Sequence, residues 1–248
     1  MAYDFPSSPS VGQIFAPAGG PSWTWNGTAW MEGGAVASGA IIDRYYTTSG
    51  TWTKPAGLRY AEVTVVGGGG GSAALGATAA GTSAAAPGGG GGGTVRKLYA
   101  ASDMAASLAY VVGTGGTTAP GSGGASQFAG LTGGGGGTGT GLGSGSALGT
   151  AAGGAGGTAT GGDLNVPGAP GGVGVRCIIS TSSAVGGDGG GSMLGPTIPW
   201  QMTTGTGLNG RTGSFPGGGG RGAAAGASQG AAAGGAGADG LVLVREIY

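Results

Sequence analysis

The side chains able to do chemistry are few and scattered. The 248-residue chain contains no histidine and a single cysteine, Cys177. Without imidazole there is no Ser-His or Cys-His nucleophile pair, no histidine-bound metal and no switch near neutral pH. A lone cysteine excludes an internal disulfide framework and a four-cysteine zinc centre. Nine basic residues balance nine acidic ones, which gives no electrostatic footprint for duplex nucleic acid or an anionic membrane. Among the acids, Asp163 and Asp188 sit in glycine-rich stretches and could pair as the two carboxylates of a glycoside hydrolase. Aspartate in such loops more often bonds its own backbone, so no catalytic role is expected of them. Asp188 alone offers too few oxygens for calcium. The stretch Gly205-Thr206-Gly207-Leu208-Asn209-Gly210 spells G-x-G-x-x-G. About five chance matches are expected at this glycine content, and no strand–helix unit surrounds it. Neither Lys54 nor Lys97 follows a glycine, so no Walker A loop exists, and Gly219-Gly220-Arg221-Gly222 is one isolated RGG-like element. The expectation is a non-enzyme with no cofactor and no metal.

Large apolar side chains are the better candidates for function. Trp23 and Trp25 precede Asn26-Gly27, and Trp30 follows. Asn-Gly supplies the two positive-φ positions of a type I′ turn, so the segment predicts a β-hairpin with the three indoles on one face. A two-stranded hairpin alone is marginal in water. It therefore either closes its own small core or docks the chain on a neighbouring protein, with Trp23, Trp25 and Trp30 as the attachment face. Asn26-Gly27-Thr28 also matches a glycosylation acceptor, but the opening ten residues show no basic or apolar leader, which favours the turn reading. A second cluster, Met193 to Met202, carries Met193, Ile198, Trp200 and Met202 stiffened by Pro196 and Pro199, with Leu208 nearby. It reads either as a plug or subunit interface, or as a contact tip, since aromatic anchors on rigid loops dominate binding energy.

These groups must be positioned by a chain in which seventy residues are glycine and 7% are charged. Collagen is excluded, because runs such as 67–71, 88–93, 133–137 and 217–220 break the triplet register. Disorder is disfavoured by the low charge and the aromatics. Strand patterns occupy 41–48, 51–55, 58–66, 94–99, 108–112, 174–179 and 241–248. In 60–66 the residues Ala61, Val63 and Val65 share one face while Tyr60, Glu62, Thr64 and Val66 share the other. No helix is predicted beyond one or two turns in 101–109, and an Asp239-Gly240 turn is expected to enter the last strand. The fold class is all-β: a small antiparallel β-sandwich with long glycine-rich excursions over 67–93, 113–175 and 184–240. Polyglycine favours a left-handed helix of three residues per turn with no internal hydrogen bonds. Its outward N–H and C=O groups must be paired if buried, and only glycine allows neighbouring chains close enough to do so. The excursions are therefore polyglycine-II-like helices or loops.

The stretch Thr51-Trp52-Thr53-Lys54-Pro55-Ala56-Gly57, then Ala61 to Val66 and five glycines, resembles the opening of the glycine-rich domain of bacteriophage tail proteins. Gly123 to Thr132 followed by five glycines is similar to that family's internal edge, and Gly237 to Val244 to its closing strand. Residues 5–31 are similar to short modules of tail-fibre and virion proteins. The resemblance implies a tail-fibre or tail-tip component related to polyglycine-rich distal adhesins. Residues 1–40 would be the virion-attachment segment, and residues 41–248 a projecting glycine-rich sandwich and polyglycine domain. Implied partners are other phage tail proteins and a host cell-surface receptor, contacted by Met193, Ile198, Trp200, Met202 and Leu208. A homotrimer is expected, with no nucleic-acid binding and no membrane insertion. The expected location is the virion tail, assembled in the host cytoplasm. A head or neck decoration protein, a polysaccharide depolymerase and an ice-binding protein are the alternatives.

Overall fold

The computed structural model describes residues 4–11, 13–17, 22–25, 27–32, 39–118, 121–177 and 182–248. The strand Tyr60–Val66 organises one end of the molecule. Its alternation works as the sequence implies: Ala61, Val63 and Val65 are fully buried. This strand lies at the centre of an antiparallel sheet ordered Leu164–Val166, Thr94–Ala100, Tyr60–Val66, Leu241–Ile247, Ile41–Tyr46. A second sheet is ordered Ala159–Thr160, Leu131–Gly133, Ser126–Phe128, Ser107–Val111, Gly50–Thr53. Their inner faces share one core, in which Trp52 meets Phe128 at 5.9 Å between ring centroids. The aromatics and valines supply most of this end's hydrophobic stabilisation, at about 25 cal/mol per Å² buried. Glu246 is buried in the same core, accepting hydrogen bonds from Trp52 Nε1 and Tyr248 Oη at 3.0 Å each and from Arg44 Nε at 3.3 Å. Between Thr94–Ala100 and Ser107–Val111 the chain makes a single 3₁₀ turn, Ala101–Asp103.

From this sandwich the glycine runs emerge and pack on one another. In the run 67–72, Gly67 and Gly70 donate to Gly93 and Gly90, Gly68 and Gly71 to Gly124 and Gly121, and Gly69 and Ser72 to Ala238 and Gly235. Every third residue thus faces the same neighbour, which is the threefold symmetry of a polyglycine II helix. The same run accepts bonds at Gly68, Gly69 and Gly70 from Gly136, Gly116 and Gly220. The run 88–93 repeats the pattern, donating in turn to 167–173, 217–222 and 133–138 while accepting from 67–72, 152–158 and 187–192. Around these two central runs, 113–117, 121–125, 133–138, 152–158, 167–173, 187–192, 217–222 and 233–239 close a hydrogen-bonded ring. The run 209–214 lies outside it, bonded to 217–222 and 233–239. Two neighbouring sites of a hexagonal lattice have that ring of contacts.

Side-chain-free backbone is what permits the lattice. A Cβ added to Gly70, Gly89 or Gly92 would overlap the carbonyl oxygen of Gly137, Gly70 or Gly67 respectively. Buried amides find their partners laterally, as burial requires, and the Cα hydrogens point at neighbouring carbonyls in the manner of weak C–H···O contacts. Val66 departs from strict alternation and is fully buried, because its outward face is already covered by the incoming chain at Gly217.

The far end of the lattice is closed by two four-stranded sheets rather than by free loops. One is ordered Leu142–Gly145, Ser83–Ala85, Ala224–Ala225, Gly207–Leu208; the other Gly149–Ala151, Gly174–Cys177, Ser183–Gly186, Gln201–Thr203. Their contact is made by alanine, with Ala85 and Ala224 of the first sheet packed on Ala184 of the second; Leu75, Ala84, Ala86, Ala223, Ala225 and Ala232 form a separate cluster on the first sheet. The predicted strand 174–179 is present as Gly174–Cys177, and Ile178 and Ile179 lie outside the described residues. No Asp239-Gly240 turn forms. Asp239 instead accepts a hydrogen bond on Oδ1 from Gly115 N–H at 2.7 Å, and its carbonyl accepts one from Gly217 N–H.

Ahead of the sandwich, Ile14–Phe15, Trp23–Trp25 and Trp30–Glu32 form a small antiparallel sheet. The expected hairpin exists, but Trp25 pairs with Trp30, so the connection spans 26–29 instead of a two-residue Asn-Gly turn. Asn26 itself lies outside the described residues.

Candidate functional site

The strand Gln201–Thr203 pairs with Ser183–Gly186, placing Met202 opposite Val185 and Thr203 opposite Ala184. The period of two then sorts the side chains. Ala184 and Thr203 are buried toward the alanine layer, whereas Met202 and Val185 face outward beside Val175. Trp200, immediately before the strand, joins this outer face. With Val173, Gly172, Gly187 and Asp188 these residues line an open cleft of about 410 Å³. Trp200 is 58% exposed and Met202 55% exposed, beside Val173 at 54%. These three neighbouring apolar side chains form an exposed apolar patch at the lattice end.

The cleft is held firmly. Val173 ends the lattice run 167–173, whose Gly172 N–H donates to Asp188 O and whose Ala169 N–H donates to Gly191 O. Ile198 exchanges backbone bonds with Gly189 at 3.0 and 3.3 Å, which ties the segment before Trp200 to the run 187–192. Gln201 Nε2 donates to the carbonyls of Leu208, Asn209 and Gly222 at 3.2, 2.9 and 3.0 Å. Leu208 is half-buried in its short strand on the neighbouring sheet. Asp188 Oδ1 is buried at the cleft margin without a hydrogen-bond partner.

The five residues of the predicted tip therefore separate. Trp200 and Met202 share the cleft; Ile198 and Leu208 do not line it, Ile198 being tied by its backbone to Gly189 and Leu208 accepting from Gln201 through its carbonyl. Met193 does not join them. The run 187–192 carries the chain back along the lattice, about 3.1 Å per residue, to the sandwich end. There Met193 and Leu194 lie over the outer sheet face with Glu62, Thr64, Thr94, Arg96, Leu243 and Arg245. Ser192 fixes that corner: its Oγ donates to Pro216 O at 2.6 Å and accepts from Gly195 N–H at 2.8 Å. The sheet face beneath is laced by ion pairs, Arg96 to Glu62 at 3.3 Å and Arg245 to Asp43 at 2.8 Å. The bonds from Arg245 hold the Asp43 carboxyl below the usual carboxylate range. Sequence reading missed Val173, Val175 and Val185, which reach the cleft only through the sheet pairing of Gly174–Cys177, Ser183–Gly186 and Gln201–Thr203; the alternation in the first two was their one local signal.

The two acids considered for glycoside hydrolysis do not face one cleft. Asp163 Oδ2 accepts from Leu98 N–H at the sandwich end, while Asp188 lies beside Trp200 at the other. Among the described residues no cluster of three or more His, Cys, Asp or Glu side chains is arranged for a metal ion. No described helix is long and apolar enough to cross a membrane.

Trp23, Trp25 and Trp30 converge in the N-terminal sheet as expected. Phe5 stacks on Trp30 at 5.4 Å and meets Trp23 edge-on at 5.2 Å, and Trp25 lies 5.6 Å from Trp30. Phe15 completes the cluster at 5.0 Å from Phe5. The hairpin thus closes a small core with a third strand, and the three indoles remain half-buried.

A family model described as a glycine-rich domain matches residues 47–246. The chain belongs to that glycine-rich domain family. The match takes in the lattice, the alanine-lined cap and the sandwich apart from its edge strand Ile41–Tyr46 and the last two residues, and leaves the aromatic N-terminal sheet outside. A search of curated proteins finds no match to the chain.

Proposed function

We propose that this glycine-rich domain protein is a phage virion structural protein, a tail-fibre or tail-tip component that acts as a host-surface adhesin or as its projecting segment. The observation that carries the reading is the exposed Trp200–Met202 cleft at the end of a laterally hydrogen-bonded glycine lattice. Rigid presentation lowers the ordering cost of binding, and aromatic anchors concentrate the energy. In this reading the N-terminal aromatic sheet, with Trp23, Trp25 and Trp30, attaches the protein to neighbouring tail proteins. The alanine-lined end with Trp200, Met202, Ile198 and Leu208 meets the host receptor. The protein is then a binding protein and not an enzyme, working in the virion tail after assembly in the host cytoplasm. Three copies per fibre are expected from closed cyclic assembly. Met193 and Leu194, at the sandwich end, fit a subunit contact better than a receptor contact.

The test is adsorption. Purified protein is incubated with host cells, and saturable binding is measured for wild type and Trp200→Ala. Exposure of Trp200 means the variant folds normally, so a roughly tenfold loss of binding supports the tip. Unchanged adsorption sinks it. Cleavage of surface polysaccharide by the purified protein would point to the depolymerase alternative. Placement on the head in an image of the particle would point to a decoration protein.

A further inference from the structure

Arg211 and Arg221 form a cationic pair on the outer side of the lattice that no carboxylate among the described residues neutralises. They sit on antiparallel neighbours, and Arg221 N–H donates to Arg211 O at 2.9 Å. The three-residue period makes the meeting unavoidable: 218 and 221 are the positions of their run that face 209–214, bonded to Ser214 and Arg211. Among the described residues neither guanidinium has a carboxylate within ion-pair distance, since the ion pairs join Arg44, Arg96 and Arg245 to Asp43, Glu62 and Glu246. Arg221 has one side-chain partner, the carbonyl of Asn209 at a long 3.4 Å, and its Nε is buried without any. Burial, and then the neighbouring Arg211 charge, lower the Arg221 pKa. Two like charges held together with unused donors are an unfavourable arrangement until an anion bridges them.

We infer that Arg211 and Arg221 form a binding site for a phosphate group. A carboxylate is filled by one guanidinium fork, whereas the three oxygens and near-double charge of a phosphate monoester serve two forks from two chains. The site is joined to the candidate cleft through Gln201, which follows Trp200 in the chain and donates to both Asn209 and Gly222. A phosphate carried on a saccharide and a free phosphate ion share this chemistry.

The experiment follows the arginine Nε–H signals of the full chain by NMR while sodium phosphate, glucose 1-phosphate or sodium acetate is added at constant ionic strength. Saturable shifts at Arg211 and Arg221 are expected with both phosphates. Affinity should fall roughly tenfold in both Arg211→Gln and Arg221→Gln and stay unchanged in Arg59→Gln, an exposed arginine on the sandwich. Arg211 is exposed, so its variant remains informative if Arg221→Gln fails to fold. Tighter binding of glucose 1-phosphate than of phosphate assigns the site to a phosphorylated saccharide, and the reverse assigns it to the free ion. The inference is overturned by the absence of saturation, by equal shifts in the Gln variants, or by acetate binding as tightly as phosphate. Phosphate binding does not depend on the adhesin reading. Loss of cell adsorption in Trp200→Ala with phosphate binding intact, or the converse, separates the two.

Discussion

Replacing Gly70 with alanine tests the lattice most directly. The new methyl would overlap Gly137 O and crowd Gly137 C and Gly136 O, all backbone atoms with no rotamer to yield. The runs 67–72 and 133–138 would have to separate. That strains the bond from Gly136 N–H to Gly68 O at 2.9 Å, from Gly90 N–H to Gly137 O at 2.9 Å and from Gly123 N–H to Gly136 O at 2.8 Å. At about 1 kcal/mol net for each bond the loss is about 3 kcal/mol, and it approaches 6 kcal/mol if buried groups end unpaired. Against a total stability of order 5–15 kcal/mol, that is a large fraction. Gly76→Ala is the matched control: an added Cβ there meets nothing within 4 Å, and its φ lies outside the left-handed region. It should be neutral or stabilise by about 0.4–1 kcal/mol through the unfolded chain. Both variants are compared by urea unfolding at equal m-value. If Gly70→Ala and Gly76→Ala unfold within about 0.5 kcal/mol of each other, steric exclusion is not what the lattice glycines provide.

Glu246→Ala should destabilise by about 3–5 kcal/mol in the same assay, because Trp52 Nε1 and Tyr248 Oη lose their buried acceptor and Arg44 its partner. Burial, and next the hydrogen bond to Glu246, push Tyr248 up to about 12. The folded state therefore favours the neutral phenol. That contribution is whole below the unfolded value near 10 and is lost as pH rises through about 12, so Tyr248→Phe should flatten the alkaline fall in Tm. Ala129 holds φ 44° before Gly130 in the turn between Ser126–Phe128 and Leu131–Gly133. Ala129→Gly relieves that left-handed strain and should raise stability by about 1 kcal/mol, read as a higher Tm.

Much of the sandwich was legible in the sequence. Residues 60–66 set Ala61, Val63 and Val65 against Tyr60, Glu62 and Thr64, a contrast that survives only if one face is buried, and the apolar run Leu241 to Val244 reads as a strand of the same core. The glycine runs were legible as close-packing backbone for a related reason: no other use of so many uncharged, side-chain-free positions beside ordered strands is physically economical. The cap was not legible. Its strands, Ser83–Ala85, Ala224–Ala225 and Gly149–Ala151, are too short and too uniformly small to show a period, so burial is decided by which sheet arrives opposite. The Trp hairpin was visible, but its four-residue connection was not, because Asn-Gly favours a tight turn and the Trp25–Trp30 pairing overrides it.

By itself the sequence determined the chemical limits: no imidazole, one thiol, balanced charge, a β-sandwich and glycine chains that must bond sideways. Tertiary structure alone decided which chains are neighbours. A polyglycine helix makes no hydrogen bonds within itself, so its local sequence contains no instruction about its partner. That choice fell to the strands at each end, which set where every run starts. It is also why Met193 and Trp200, seven residues apart, lie at opposite ends, while Arg211 and Arg221, ten apart, lie side by side.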